Sequence, residues 1–161
     1  MGVSLRGPGE ILAYRPLKLI LHTKPQTLWS VSSQDNVATA VGLMDERDIG
    51  CVVVVDDGKI VGIVSERDCV RRVILTSKPA EATSVSEIMV RDVITADLSH
   101  TFAECLNLMH RHRIRHLPIV DAGKPIAVIS IRDLLSEAVS HHAKVIAELE
   151  RERLTVFMST A

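Results

Sequence analysis

The residues in this 161-residue chain best suited to chemistry are two serine–aspartate pairs, Ser65 with Asp68 and Ser130 with Asp133. Each pair follows a β-branched apolar run and precedes a helical pattern. As structure, a serine followed three residues later by an acid is close to a capping box, which satisfies the free N–H groups of a helix start. As function, the same carboxylate can accept the hydroxyls of a ribose, while the helix start attracts phosphate. The residues alone leave both interpretations open.

A dense basic cluster lies between the two pairs, at His110–His116 with the sequence HRHRIRH. Cations of this kind suit a solvated helix C-terminus. A zinc site is the weaker alternative, because it needs three or four convergent ligands. Arg115 and His116 differ from the rest because they begin a predicted strand, and this places them at the mouth of that strand.

Composition narrows the classes of function. Nineteen basic and twenty acidic side chains leave a net charge of −1, which argues against a nucleic-acid binder. The longest uncharged apolar run, Ile49–Val55, falls far short of the ~20 residues that a membrane span requires. The three cysteines form no CxxC pair and are expected to be buried thiols in a reducing compartment. We therefore expect a soluble, cytoplasmic protein.

An internal repeat positions these residues. At an offset of 65 residues, Trp29–Ile74 lies over Ile94–Val139 without a gap, and the two serine–aspartate pairs coincide. Gly50 and Cys51 then hold the positions of Arg115 and His116. The two clefts of the molecule are therefore predicted to differ chemically, since only the second copy offers basic groups there.

Each copy predicts the same order of elements. An amphipathic helix is followed by two strands that a glycine-containing turn joins, and then by a second helix that begins at Ser65 or Ser130. The predicted strands are Cys51–Val55, Ile60–Val64, Leu117–Val120 and Ile126–Ile129. Because these strands are apolar on both faces, we expect the helices of each copy to cover the sheet of the other.

The tandem β-α-β-β-α unit resembles the cystathionine β-synthase (CBS) domain pair, also called a Bateman module. The sequences GIVSERD at 62–68 and AVISIRD at 127–133 match the closing motif of the family, and RHLPIVD at 115–121 matches its middle strand. The resemblance covers Trp29–Val139. It implies an α/β (α+β) fold in which two CBS motifs pack with pseudo-twofold symmetry.

The resemblance also implies a ligand, an adenosine-containing nucleotide such as AMP, ADP, ATP or NAD in the cleft between the motifs. In the family, the aspartate of the closing motif binds ribose, and the serine lies near ribose or phosphate. Basic groups at the mouth of the middle strand contact phosphate, and the first strands line the base pocket. The predicted ligand-binding residues are Asp133, Ser130, Arg115, His116, Pro118, Ile94, Thr95, Arg132, Asp68, Ser65 and Ser30.

The predicted function is that of a free-standing regulatory sensor in signal transduction, which passes nucleotide binding on to an unidentified target protein. No catalytic triad, Walker A loop or dinucleotide GxGxxG motif occurs, so we expect neither an enzyme nor a catalytic cofactor. The alternative is a structural or dimerisation adaptor that binds no ligand.

The chain divides into an N-terminal segment (1–28), CBS motif 1 (29–80), CBS motif 2 (81–140) and a C-terminal helical tail (141–161). After Asp133 the chain continues as a long helical pattern, whose apolar stripe includes Val139, Ile146 and Leu149. Because such a stripe needs a packing partner, we expect a homodimer to which the tail helix contributes.

Overall fold

The computed structural model describes Tyr14, residues 17–22 and residues 28–159 of the chain. Both repeats fold as helices and short strands in the predicted order. The helices are α1 (Leu17–His22), α2 (Val37–Glu46), α3 (Glu66–Arg72), α4 (Val85–Ile88), α5 (Phe102–His112) and α6 (Ile131–Ser159), with a 3₁₀ turn at Ile74–Thr76. The strands are β1 (Ser30–Val31), β2 (Cys51–Asp56), β3 (Lys59–Ser65), β4 (Ala96–Asp97), β5 (His116–Asp121) and β6 (Lys124–Ser130).

Each repeat contributes one three-stranded sheet, in the order β1-β2-β3 or β4-β5-β6. The first strand of each sheet runs parallel to the second, and the hairpin that follows is antiparallel. This is the mixed α/β architecture that the sequence predicts. The strands extend one or two residues beyond their predicted ends, because the flanking polar residues still pair across the hairpin.

Backbone details repeat at the predicted offset. Cys51 pairs with Ser65 in the first hairpin, and His116 pairs with Ser130 in the second. Both turns place two successive residues at positive φ, Asp57–Gly58 and Ala122–Gly123, as a tight two-residue hairpin turn requires. The hairpins therefore present Ser65 and Ser130 at equivalent points, each directly before a helix.

The cores correct one expectation about how the sheets are covered. The helices of each repeat pack on that repeat's own sheet, not on the sheet of the other. The helix that precedes each repeat packs in the core of the other repeat. Helix α4, which leads into the second repeat, buries Val85 and Ile88 in the first core. Reciprocally, α1, which leads into the first repeat, buries Leu17 and Ile20 in the second core.

The last helix continues well past the second repeat. Residues 131–159 form one helix, which includes residues 141–159 of the predicted helical tail, and residues 160–161 lie outside the described residues. At 1.5 Å per residue, its last twenty residues add about 30 Å of helix. The Tyr14 ring stacks on Phe102 of α5 with ring centroids 4.0 Å apart, and its centroid lies 4.8 Å from that of His141 in α6.

Candidate functional site

A cleft of about 530 Å³ lies between the two repeats. Five of the predicted residues line it together: Arg115, His116, Ser130, Arg132 and Asp133. The opposite wall comes from the first repeat, at the end of α2 and the starts of β2 and α3. The volume is within the range typical of small-molecule sites.

Both serine–aspartate pairs make the reciprocal hydrogen bonds of a capping box. The backbone N–H and the hydroxyl of Ser130 each donate to Asp133 Oδ2 at 2.6 Å, and the Asp133 N–H donates back to Ser130 Oγ at 3.2 Å. Ser65 and Asp68 repeat these bonds at 3.0, 2.5 and 3.4 Å. The structural interpretation is therefore confirmed in both copies. The same bonds hold the Asp133 carboxylate in place on the wall of the cleft.

The N-terminal ends of β2 and β5 both line the cleft. A Cβ atom at Gly50 would lie 3.3 Å from both the Glu66 carboxylate and the His116 ring. Glycine therefore lets His116 of the second repeat approach the backbone of the first. The residue before each of these strands also accepts a hydrogen bond from the first residue of a helix. Glu66 N–H of α3 donates to the Gly50 carbonyl (3.1 Å), and Ile131 N–H of α6 donates to the Arg115 carbonyl (2.8 Å).

The charges that line the cleft are mixed. Three arginines, Arg47, Arg115 and Arg132, face four carboxylates, those of Asp45, Asp48, Glu66 and Asp133. Asp45, Arg47 and Asp48 all come from the end of α2 and are exposed. A ligand that carries both an anion and hydrogen-bond donors, as a nucleotide does, matches this mixture better than a simple anion.

Sequence reasoning missed Trp29 and Arg47. Trp29 precedes β1 and lines the cleft, and the Arg47 guanidinium lies over its ring at 4.1 Å from the centroid. Trp29 is the single tryptophan of the chain. The prediction placed base contacts on the first strand of each copy, but in the first copy it named Ser30 and not the neighbouring Trp29.

The other predicted residues lie outside this cleft. Ser65 and Asp68 begin α3, Ser30 is exposed in β1, and Ile94 and Thr95 are half-buried before β4. Pro118 is buried within β5. In the first repeat, Val53 N–H donates to the Trp29 carbonyl at 3.4 Å. In the second repeat Pro118 is equivalent to Val53 and Ile94 to Trp29. Because proline has no N–H, the Ile94 carbonyl does not receive the equivalent hydrogen bond. The role of these six residues in binding stays a prediction.

Gly62 and Ala127 differ for a reason of packing. A Cβ atom at Gly62 would lie 2.5 Å from Met89 Sδ and 2.9 Å from Met89 Cγ. Val90 then pairs with Ile63 through two hydrogen bonds of 2.9 and 3.0 Å. The segment between the repeats thus fills the space beside Gly62, whereas Ala127 lines the open cleft.

The cysteines are buried and form no disulfide. Burial raises the pKa of Cys69 and of Cys105 to about 11, and the neighbouring carboxylates of Asp68 and Glu104 act in the same direction. Both thiols therefore stay protonated at neutral pH. Within the part of the chain that the structure describes, no three His, Cys, Asp or Glu side chains converge as metal ligands would.

No helix in the described ranges combines the length and apolarity that crossing a bilayer demands.

Comparison with known proteins agrees with the fold. The family model for the CBS domain matches twice, at residues 22–75 and 85–140. A solved CBS-domain protein from Burkholderia ambifaria superposes with a TM-score of 0.74 at 42% identity, covering 77% of this chain and 93% of the other. The two-copy architecture is therefore that of a CBS-domain pair.

The chain belongs to the CBS-domain family. It is 32% identical to the mitochondrial CBS domain-containing protein CBSX3 of Arabidopsis thaliana over 129 residues, which is 77% of this chain and 61% of the relative. It is also 34% identical over 110 residues to an inosine-5'-monophosphate dehydrogenase of Thermoplasma acidophilum, or 68% of this chain. It spans only 21% of that dehydrogenase, and the match is to the CBS part alone.

Proposed function

We propose that this CBS-domain protein is a regulatory sensor that binds an adenosine nucleotide in the cleft between its repeats. One observation carries the proposal: Arg115, His116, Arg132 and Asp133 line one cleft of about 530 Å³. Guanidinium groups are suited to phosphate, and a fixed carboxylate is suited to the hydroxyls of a ribose. The family membership adds the regulatory role.

The geometry suggests how the ligand is oriented. Asp133, held by Ser130, takes the ribose, and Arg115 with His116 takes the phosphate at the strand mouth. Two apolar surfaces can receive the adenine: Trp29 within the cleft, or the predicted Ile94, Thr95 and Pro118. The second surface also offers the Ile94 carbonyl, to which Pro118 cannot donate, as an acceptor for the amino group of the base.

Tryptophan fluorescence tests the proposal directly, because the single tryptophan lines the cleft. AMP, ADP, ATP and NAD are titrated separately, and calorimetry gives each dissociation constant. We expect saturable quenching by at least one of them. Ribose 5-phosphate serves as the control without a base: an equal spectral change would place the adenine on the Ile94 surface, away from Trp29.

The alternative is an adaptor that binds no ligand and whose serine–aspartate pairs are only helix caps. Both serine–aspartate pairs form capping boxes, and this observation supports the alternative. It predicts no fluorescence change and no calorimetric heat with any of the four nucleotides at millimolar concentration. That result would overturn the sensor proposal. We further propose the cytoplasm as its location and an unidentified protein as its target.

A further inference from the structure

A run of basic side chains between the end of α5 and the start of β5 is exposed and unpaired. The run consists of His110, Arg111, His112, Arg113 and Arg115, named here the basic patch, and all five are exposed. Within the part of the chain that the structure describes, none of these five side chains makes a hydrogen bond or an ion pair. Arg115 also lines the cleft, whereas the other four residues do not. The basic patch therefore adjoins the cleft and extends away from it over the surface.

The basic patch concentrates positive charge on a chain that is close to neutral. Residues 105–120 contain three arginines and no aspartate or glutamate, while the whole chain has a net charge of −1. Cations are favourable at the C-terminus of a helix. The fold does not require them here, however, because the equivalent residues 45–48 of the first repeat read Asp-Glu-Arg-Asp. The helix dipole therefore does not account for the basic patch.

The backbone at Arg113 supports the same conclusion. Arg113 follows α5 in the left-handed conformation with a φ of 55°, and Asp48 has a φ of 50° at the equivalent point of the first repeat. Glycine, asparagine and aspartate are the residues that tolerate this conformation best. Arginine is therefore not the residue that the backbone favours at position 113. Its exposed and unpaired guanidinium group indicates a role in binding.

We infer that the basic patch binds a segment rich in aspartate and glutamate on the target protein of the sensor. Guanidinium groups match carboxylates both in charge and in their paired hydrogen bonds. The three arginines alternate along the chain from the end of a helix to the start of a strand. This linear arrangement suits an extended segment with several carboxylates better than a single compact anion. The near-neutral charge of the whole chain favours such a segment over a nucleic acid.

Arg115 connects this surface to the cleft, because it belongs to both. A nucleotide phosphate and an acidic segment therefore meet at one guanidinium group, which gives the target a direct contact with the state of the cleft. That the segment belongs to the target of the sensor rests on the proposed function. The binding of an acidic segment to the basic patch does not.

Fluorescence anisotropy with a labelled hexaglutamate peptide tests this binding at low salt and without nucleotide. We expect saturable binding that weakens as salt is added, because the contacts are exposed charges. Arg111→Glu/Arg113→Asp should raise the dissociation constant about tenfold or more. These substitutions introduce the residues that the first repeat carries at the equivalent positions, Glu46 and Asp48, so the backbone accommodates them. Circular dichroism must show the variant folded.

Arg151→Glu/Arg153→Glu is the matched control. Both arginines are exposed on the last part of α6, outside the basic patch, and the change in net charge is the same. This variant should bind the peptide within about twofold of the unmodified chain, because steering by the net charge alone is a weak effect. Equal losses in the two double variants, or no binding of the peptide by the folded unmodified chain, would overturn the inference.

Two further measurements exclude other occupants of the basic patch. Tighter binding of a single-stranded oligothymidylate than of the peptide would assign the patch to nucleic acid and overturn the inference. Self-association that Arg111→Glu/Arg113→Asp abolishes, as measured by light scattering, would assign it to a second copy and also overturn it. A separate AMP titration keeps the two proposals apart. A chain that binds AMP and not the peptide contradicts only this inference, and a chain that binds the peptide and not AMP contradicts only the nucleotide site.

Discussion

Asp133 is the residue on which the nucleotide proposal depends most. A ribose on a carboxylate makes charge-assisted hydrogen bonds worth roughly 1.5–3 kcal/mol each. Asp133→Ala should therefore weaken AMP binding by about thirty- to a thousand-fold, measured by calorimetry. Asp68→Ala is the matched control, because it removes the equivalent cap outside the cleft of about 530 Å³. Since losing a cap costs ~1 kcal/mol, circular dichroism must show both variants folded.

If Asp133→Ala binds AMP as well as the unmodified chain does, the ribose role of Asp133 is wrong. The capping box would then be its whole function. If both variants lose AMP binding to the same extent, Asp68 of the first repeat contributes as much to AMP binding as Asp133 does.

Arg115 separates phosphate recognition from recognition of the nucleoside. The equivalent residue of the first repeat is Gly50, so the guanidinium is a feature of one half only. Arg115→Ala should reduce AMP affinity by at least tenfold and change adenosine affinity by less than about twofold, because a charge-assisted bond to phosphate is worth about 1.5–3 kcal/mol. Parallel titrations with the two ligands test this. Equal losses for both would show that Arg115 supports the fold of the cleft and not the phosphate.

The buried thiols predict how stability depends on alkaline pH. Burial raises the pKa of Cys69 from 9.0 to about 11, and Cys105 behaves alike. Because the folded pKa is raised, this contribution to stability is fully present below pH 9 and is lost as the pH rises toward 11. Urea unfolding at pH 8 and pH 10 should show a lower free energy of unfolding at pH 10. A Cys69→Ala/Cys105→Ala variant should lose part of that difference, and an unchanged difference would contradict the assignment.

At the scale of elements, the segment between the repeats is tied to β3 through Gly62. An alanine there would place its Cβ 2.5 Å from the buried Met89 sulfur, so that Met89 and the pairing of Val90 with Ile63 must shift. Gly62→Ala should lower the free energy of unfolding by about 1–3 kcal/mol. Chemical denaturation measures it. A free energy of unfolding equal to that of the unmodified chain would show that Met89 and its neighbours move aside without any loss of stability.

Gly42→Ala provides the opposite control for that measurement. Gly42 lies in α2 with no atom within 4 Å of a new Cβ, so alanine adds helix propensity and no clash. It should raise the free energy of unfolding by up to about 1 kcal/mol. The contrast between two glycine-to-alanine changes isolates the steric contact from the loss of backbone freedom.

At the scale of the whole molecule, a pure sensor should leave its ligand unchanged. The relatives named above match this chain through CBS domains, and in the proposed function the polar groups of the cleft bind the ligand without reacting with it. We expect AMP, ADP and ATP to be recovered intact after prolonged incubation with purified protein, as followed by chromatography. Hydrolysis beyond one equivalent that survives repurification and disappears in Asp133→Ala would overturn the prediction.

The exchange of the preceding segments explains why the two repeats form one body. Helix α1 contributes to the second core and α4 to the first, so neither core is complete with the residues of its repeat alone. The cleft of about 530 Å³ lies between the two halves that this exchange ties together. We propose that a nucleotide contacting both walls changes how the halves sit relative to each other, and that this change carries the signal.

The sequence by itself determined everything that depends on local pattern. The 65-residue repeat, the hairpin turns and the helix starts at Ser65 and Ser130 follow from apolar periodicity, turn residues and capping spacing, which act over a few residues. The tertiary structure alone decided which residues meet across the repeats. Trp29 and Arg47 line the same cleft as Asp133, and Met89 fills the space beside Gly62. Helix α1 packs in the second core and α4 in the first. Local sequence does not reveal these contacts, because the burial of apolar surface is non-directional and leaves no local signature of its partner.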